Sequence, residues 1–259
     1  MNYGAQRWPC LMVRCTVLVA LTLTVAPLGA RANDSNLNPG ILPPSATAFG
    51  KTYGAWSSAW WQYVESQPAS SNPLVDHTGA GCSVGQSGPV FFLVGTNGSG
   101  AATRDKCTVP PGKALFFPLL NAFDVHVACT PATASVCDSN NSPQQVWNDL
   151  QITTGFGPFS ELHASIDGVP VKNLDPSNTP YRACAGPVAR CSAPSFSLTF
   201  PADNFFGSGL PPGTYAPAVA DGFYLLLAPL TPGPHTITFG GTGKNLSEDI
   251  TYHLVISSG

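Results

Sequence analysis

Glu161-Leu-His-Ala-Ser-Ile-Asp-Gly-Val-Pro-Val171 is the stretch from which the fold is read. Leu162, Ala164 and Ile166 alternate with polar partners, the period of a strand that buries one face. Asp167-Gly168 follows, a pair suited to the left-handed turn of a two-residue hairpin, and Val169-Pro-Val171 starts the return strand. The same reading extends to the C-terminus. Phe196, Leu198 and Phe200 alternate with Ser and Thr, and Tyr215–Val219, Gly222–Leu227, His235–Phe239 and Ile250–Ile256 are further strands at sandwich-like spacing. Upstream, Pro89–Val94 and Lys113–Leu120 are short apolar runs bracketed by Gly and Pro. The expected fold class is mainly β, an antiparallel β-sandwich.

Two helices interrupt this pattern. Residues 45–66 carry Phe49, Tyr53, Trp56, Trp60 and Tyr63 at steps of four and three, one helical stripe. Ser45 or Thr47 is the expected cap, and Pro68 ends the run. A stripe of this kind plugs a sheet face; Trp61 lies off it and is expected to be an exposed ring available for binding. Ser142-Pro-Gln-Gln145 opens a short second helix with a capping serine, an early proline and a glutamine three residues on, followed by Val146, Trp147 and Leu150.

The N-terminus reads as a secretory signal over residues 1–32. Arg7 and Arg14 stand without an acid, Thr16–Leu28 is an apolar run, and Ala30-Arg31-Ala32 gives a small-residue cleavage site before Asn33. The run of 13 residues is short for a spanning helix, which needs about 20. Residues 33–259 are then one disulfide-stabilised domain, with no transmembrane segment, in the periplasm or outside the cell. It holds eight Lys and Arg against fourteen Asp and Glu, a net charge of −6, which excludes nucleic acid as a partner. Charged residues make up only 10% of the chain, so turns and neutral polar residues form its surface.

Six cysteines remain after the signal: Cys82, Cys107, Cys129, Cys137, Cys184 and Cys191. An even set in an exported chain reads as three disulfides, and six cysteines allow about fifteen connectivities. Proximity in sequence favours Cys82–Cys107, Cys129–Cys137 and Cys184–Cys191. The spacings do not match zinc knuckles, and no metal or other cofactor is expected.

Leu230-Thr-Pro-Gly-Pro-His-Thr-Ile-Thr-Phe239 is similar to a turn-and-strand motif of bacterial immunoglobulin-like domains, and Ile166-Asp-Gly-Val-Pro-Val171 is similar to another such element. With Tyr53-Gly-Ala-Trp-Ser-Ser-Ala-Trp-Trp-Gln62, Gly85-Gln-Ser-Gly-Pro-Val-Phe-Phe92 and Pro110-Pro-Gly-Lys-Ala-Leu-Phe-Phe-Pro118, the chain resembles an uncharacterised family of exported bacterial proteins. The resemblance implies architecture and export, and carries no catalytic residue.

The chain has no S-x-x-K, H-E-x-x-H or phosphate-binding glycine loop. Asp34-Ser-Asn36-Leu-Asn38 hints at a calcium loop, but Pro39 and Ser45 stand where Gly and Glu are required. Asp124-Val-His126 places a carboxylate and an imidazole on one face of a strand, half a metal site or an oriented base. His163 and His253 are expected to face solvent, and Asp76-His77 lies in a loop. Glu161, Asp203 and Asp221 are the acids considered for a glycosidase pair, each near a strand start or turn. Two functions follow: a non-catalytic module binding polysaccharide or another exported protein, with Trp61 as the contact, or a secreted hydrolase or metal-dependent enzyme using Asp124 and His126.

Overall fold

A computed structural model describes residues 38–98, 100–139, 141–152 and 157–259. The signal segment and its cleavage residues Ala30, Ala32 and Asn33 lie outside the described residues. From residue 38 onward the chain packs as one unit. In chain order its main elements are α1 (Tyr53–Glu65), β1 (Val90–Phe92), β2 (Gly100–Val109), β3 (Ala114–Val125), α2 (Pro143–Ile152), β4 (Phe159–Ile166), β5 (Val169–Pro170), β6 (Arg182–Ala185), β7 (Phe196–Phe200), β8 (Gly213–Leu227), β9 (Gly233–Gly243) and β10 (Ser247–Ile256).

The protein is mainly β, with two five-stranded sheets. One runs β1-β3-β8-β6, with β7 also paired to β8; the other runs β2-β10-β9-β4-β5. The expectation of purely antiparallel sheets is corrected. β1 pairs β3 in parallel, and β2 pairs β10 in parallel. The first follows from connectivity: the chain leaves β1, forms β2 in the other sheet and returns as β3, so β1 and β3 point the same way. Apolar residues of both sheets form one core, in which Phe117 of β3 meets Phe239 of β9 at 4.8 Å between ring centroids.

The hairpin that opened the sequence reading is present. Asp167 and Gly168 both have positive φ, and Ile166 pairs with Val169. The two segments read as Tyr215–Val219 and Gly222–Leu227 are one 15-residue strand, β8, which contacts three neighbours. Gly222 does not break it because no side chain fits there: an added Cβ would lie 2.7 Å from both the Asn121 and Tyr224 side chains. β2 and β6 were not read from sequence.

α1 is shorter than the expected 45–66. Phe49 and Gly50 adopt positive φ, which stops a helix before residue 51, and the cap is Thr52, whose Oγ1 accepts from Ala55 N at 3.2 Å. Phe49 is therefore outside the helix and exposed. The other stripe residues are buried, with Tyr53 and Trp56 against Phe116 and Trp56 against Phe92. The helix lies close on the first sheet because Gly54 has no side chain; a Cβ would meet Cys184 O at 2.3 Å. α2 has the expected capping box: Ser142 Oγ accepts from Gln145 N, and Gln145 Oε1 accepts from Ser142 N.

The three disulfides join Cys82–Cys107, Cys129–Cys137 and Cys184–Cys191, the pairing that proximity favoured. Intramolecular disulfides of this number belong to an oxidising compartment. No described helix is long and apolar enough to cross a membrane.

Candidate functional site

The last turn of α1 carries Trp60, Trp61, Val64 and Glu65, all buried. Trp61 was expected to be exposed; it retains only 8% of its surface. It stands edge-on to Trp60 at 4.8 Å and against Phe123 of β3 at 4.4 Å. The stripe alone did not predict this, because α1 is covered on more than one side, by the first sheet and by the loops around residues 74 and 95.

Trp60 and Trp61 form one wall of a cleft of about 340 Å³. Phe123, Phe205 and Phe206 supply further rings, and Glu65, Thr96, Asn121 and Glu248 supply polar groups. This volume sits at the low end of small-molecule sites, roughly 300–1,000 Å³. Among its described lining residues are two carboxyls and no basic side chain.

Glu248 reaches the cleft from β10. Its strand buries Ile250, Tyr252, Leu254 and Ile256 on alternate positions, and Glu248 occupies the same face. Thr96 holds its Oε1 through the backbone N–H at 2.8 Å and the hydroxyl at 3.1 Å. Gly95 lets the carboxyl approach, since a Cβ there would fall 2.1 Å from Glu248 Oε2. The Val94–Gly95 segment is in turn fixed by Arg104 of β2, a fully buried guanidinium that donates to Val94 O at 3.0 Å, Gly95 O at 2.7 Å and Asp76 O at 2.8 Å. Trp60 Nε1 donates to Leu93 O at 2.9 Å. The aromatic wall and the carboxyl wall are thus tied to one backbone segment.

Glu65 is held differently. It is 4% exposed, and its Oε2 has no hydrogen-bond partner. Burial pushes its carboxyl from the ordinary range up to about 7. It also ends α1, where unpaired carbonyls disfavour a negative charge, and the last turn holds no basic residue. For Glu248, burial likewise raises the carboxyl to about 7, against the opposing effects of its Thr96 hydrogen bonds and the nearby Arg104 charge.

Two further buried polar atoms of the cleft residues lack partners, Trp61 Nε1 and Asn121 Nδ2. The side chains of Asn121, Trp61 and Ser57 lie around the Tyr224 hydroxyl, which is itself fully buried, so the Asn121 and Trp61 donors are directed at that hydroxyl. Native structures leave few such groups unsatisfied. Glu65 Oε2 is such a group and belongs to a residue lining the cleft.

Asp124 and His126 do not line this cleft. His126 Nδ1 sits 3.0 Å from Asp138 Oδ1, which orients the ring. Asp124 accepts from Val125 N at 2.8 Å. Burial, opposed by that bond and reinforced by the Asp149 and Asp138 charges, raises its carboxyl to about 6. Asp138 contacts His126 and adds its charge to the surroundings of Asp124. No group of three His, Cys, Asp or Glu among the described residues is arranged to hold a metal ion. The three acids weighed for a carboxylate pair are dispersed. Glu161 is exposed on β4. Asp203 Oδ2 accepts from Ser70 N and Oγ, tying the loop that carries Phe205 and Phe206 to the chain beyond α1. Asp221 is fully buried between Arg182 and Arg190, at 2.8 and 2.6 Å. His253 is exposed and His163 partly so.

Sequence reading passed over Glu65 and Glu248, although each leaves a trace. Glu65 follows Trp61 by four residues, one helical turn on the same face. Glu248 is an acid in phase with Ile250, Tyr252 and Leu254. No protein-family model, curated protein or solved structure matches this chain.

Proposed function

We propose that the protein is an exported, non-catalytic binding module, built on a β-sandwich scaffold, that holds one sugar unit of a carbohydrate in the Trp61 cleft. One observation carries this reading: the buried carboxyl oxygen Glu65 Oε2, which has no hydrogen-bond partner, belongs to a residue lining a cleft walled by aromatic rings. A sugar offers the complement, hydroxyls on its rim and an apolar C–H face for the rings. The scaffold also suits a binding role, because Arg104, Thr96 and Trp60 fix the walls before a ligand arrives. Three disulfides agree with a place outside the cytoplasm.

The test is a glycan screen followed by titration with ¹H–¹⁵N spectra of the indole groups. A monosaccharide of about a dozen heavy atoms, at roughly 0.3 kcal/mol per atom, binds in the millimolar range, so oligosaccharides are the better probes. The expected result is a shift of the Trp61 indole resonance as its ring packs on the sugar, with binding weakened by Trp61→Ala. Saturable glycan binding that leaves the Trp61 indole unmoved would refute the assignment of the site, and retention of no glycan would refute the function.

A further inference from the structure

The cleft is one-sided in charge. Glu65 and Glu248 line it, and its described lining has no Lys, Arg or His. The groups facing the two carboxyls from the surrounding elements do not change this. Arg104 approaches Glu248 from β2, but its nitrogens are committed to the carbonyls of Asp76, Val94 and Gly95. Tyr252 of β10 hydrogen-bonds Val94, and Tyr224 of β8 lies with Asn121 and Trp61. Glu65 has no charged partner, and the end of α1 adds negative potential beside it. Trp61 and Phe123 line the same cleft, and aromatic faces attract cations through their quadrupoles.

We infer that the ligand is a ring compound bearing a protonated amine, of which an amino sugar is the carbohydrate member, with its ammonium seated between the Glu65 carboxylate and the aromatic wall. This rests on reading the cleft as a sugar site and adds the charge of the sugar. The ammonium supplies three N–H donors where Glu65 Oε2 has none, and it neutralises the buried carboxylate. The C–H face of the ring packs on the aromatic wall. Because Glu65 must be ionised to receive the cation, binding below neutral pH expels its proton.

Calorimetry with glucosamine, glucose and cyclohexylamine, in buffers of different ionisation enthalpy at pH 6 and 8, separates the parts of this statement. Wild type is expected to prefer glucosamine over glucose by on the order of tenfold, the scale of one charge-assisted hydrogen bond. At pH 6 glucosamine binding should release close to one proton from Glu65, as expected for a carboxyl that titrates near 7. Glu65→Gln should abolish both the preference for glucosamine over glucose and the proton release. Equal binding of glucose and glucosamine, or a preference that survives Glu65→Gln, overturns the ammonium site and leaves the sugar site standing. Cyclohexylamine binding as tightly as glucosamine, with no hold on glucose, supports the ammonium site and overturns the sugar. Failure of all three to bind at millimolar ligand overturns the ammonium site, while the sugar site stands or falls with the oligosaccharide screen.

Discussion

Glu65→Gln should stabilise the ligand-free protein at alkaline pH and leave it nearly unchanged in acid. Glu65 titrates near 7 when folded and near 4.5 when unfolded, because burial penalises its charge. Between those values the native state binds more protons than the unfolded state, so stability falls as pH rises through the window. The difference of about 2.5 pH units, at about 1.4 kcal/mol per unit, amounts to roughly 3 kcal/mol. That destabilisation is absent below pH 4.5 and complete above pH 7. Glutamine fills the same space and never ionises. In a domain of this size about 3 kcal/mol corresponds to a melting temperature some 6–12 °C higher. Urea unfolding at pH 4, 6 and 8, with disulfides intact, measures it directly. The expected gain is near zero at pH 4 and about 3 kcal/mol at pH 8. A gain independent of pH, or a Gln variant less stable than wild type at pH 8, would refute a buried and uncompensated Glu65.

Other consequences concern the scaffold. Gly95→Ala would place a Cβ 2.1 Å from Glu248 Oε2, so it should cost about 1–3 kcal/mol and displace Glu248 from Thr96; most of that loss should vanish in a Glu248→Ala background, read by thermal melting of the four proteins. Arg104→Met keeps the side-chain stem but leaves the carbonyls of Asp76 and Gly95 without their guanidinium donor, and should cost about 3–5 kcal/mol in urea titrations. Burial raises the Asp221 carboxyl, but Arg182 and Arg190 more than offset that and hold it below the ordinary aspartate range. The stability it supplies is present at neutral pH and is lost as pH falls below that range, so Asp221→Asn should flatten the acid limb of the stability curve below about pH 4. Replacing both Cys82 and Cys107 by Ser releases a sequence separation of 25 residues, against 7 for Cys184 and Cys191, and should cost about 1 kcal/mol more in the chain-entropy account.

The strands most open to sequence reading bury one face and expose the other: β4, β7, β9 and β10 show their period in Leu162, Phe196, Ile237 and Ile250 and the residues two beyond each. β2 escaped because its inward positions are Ala102, Arg104, Cys107 and Val109, an apolar face broken by a cation and shifted by the irregularity between Arg104 and Cys107. Arg104 is buried only because loop carbonyls distant in sequence converge on it, which no local pattern encodes. Parallel pairing was illegible for a similar reason: it depends on the chain crossing between sheets after β1. The site was half legible. Trp61 was singled out for the wrong reason, as an exposed ring, and its place beside Glu65 and Glu248 depends on how α1 and β10 meet the segment at Val94–Thr96. Asp124 and His126 are surrounded by Asp138 and Asp149 from the chain that follows β3, which no spacing within β3 encodes.

Only three glutamates occur in the chain, Glu65, Glu161 and Glu248, so ¹³C-carboxyl labelling gives three resolvable titrations. Following the Glu65 carboxyl from pH 4 to 9, free and saturated with glucosamine, tests the account most directly. It predicts a midpoint near 7 in the free protein and a lower midpoint once the ammonium is bound. A free Glu65 that titrates near 4.5, with a midpoint unmoved by the amino sugar, would contradict it.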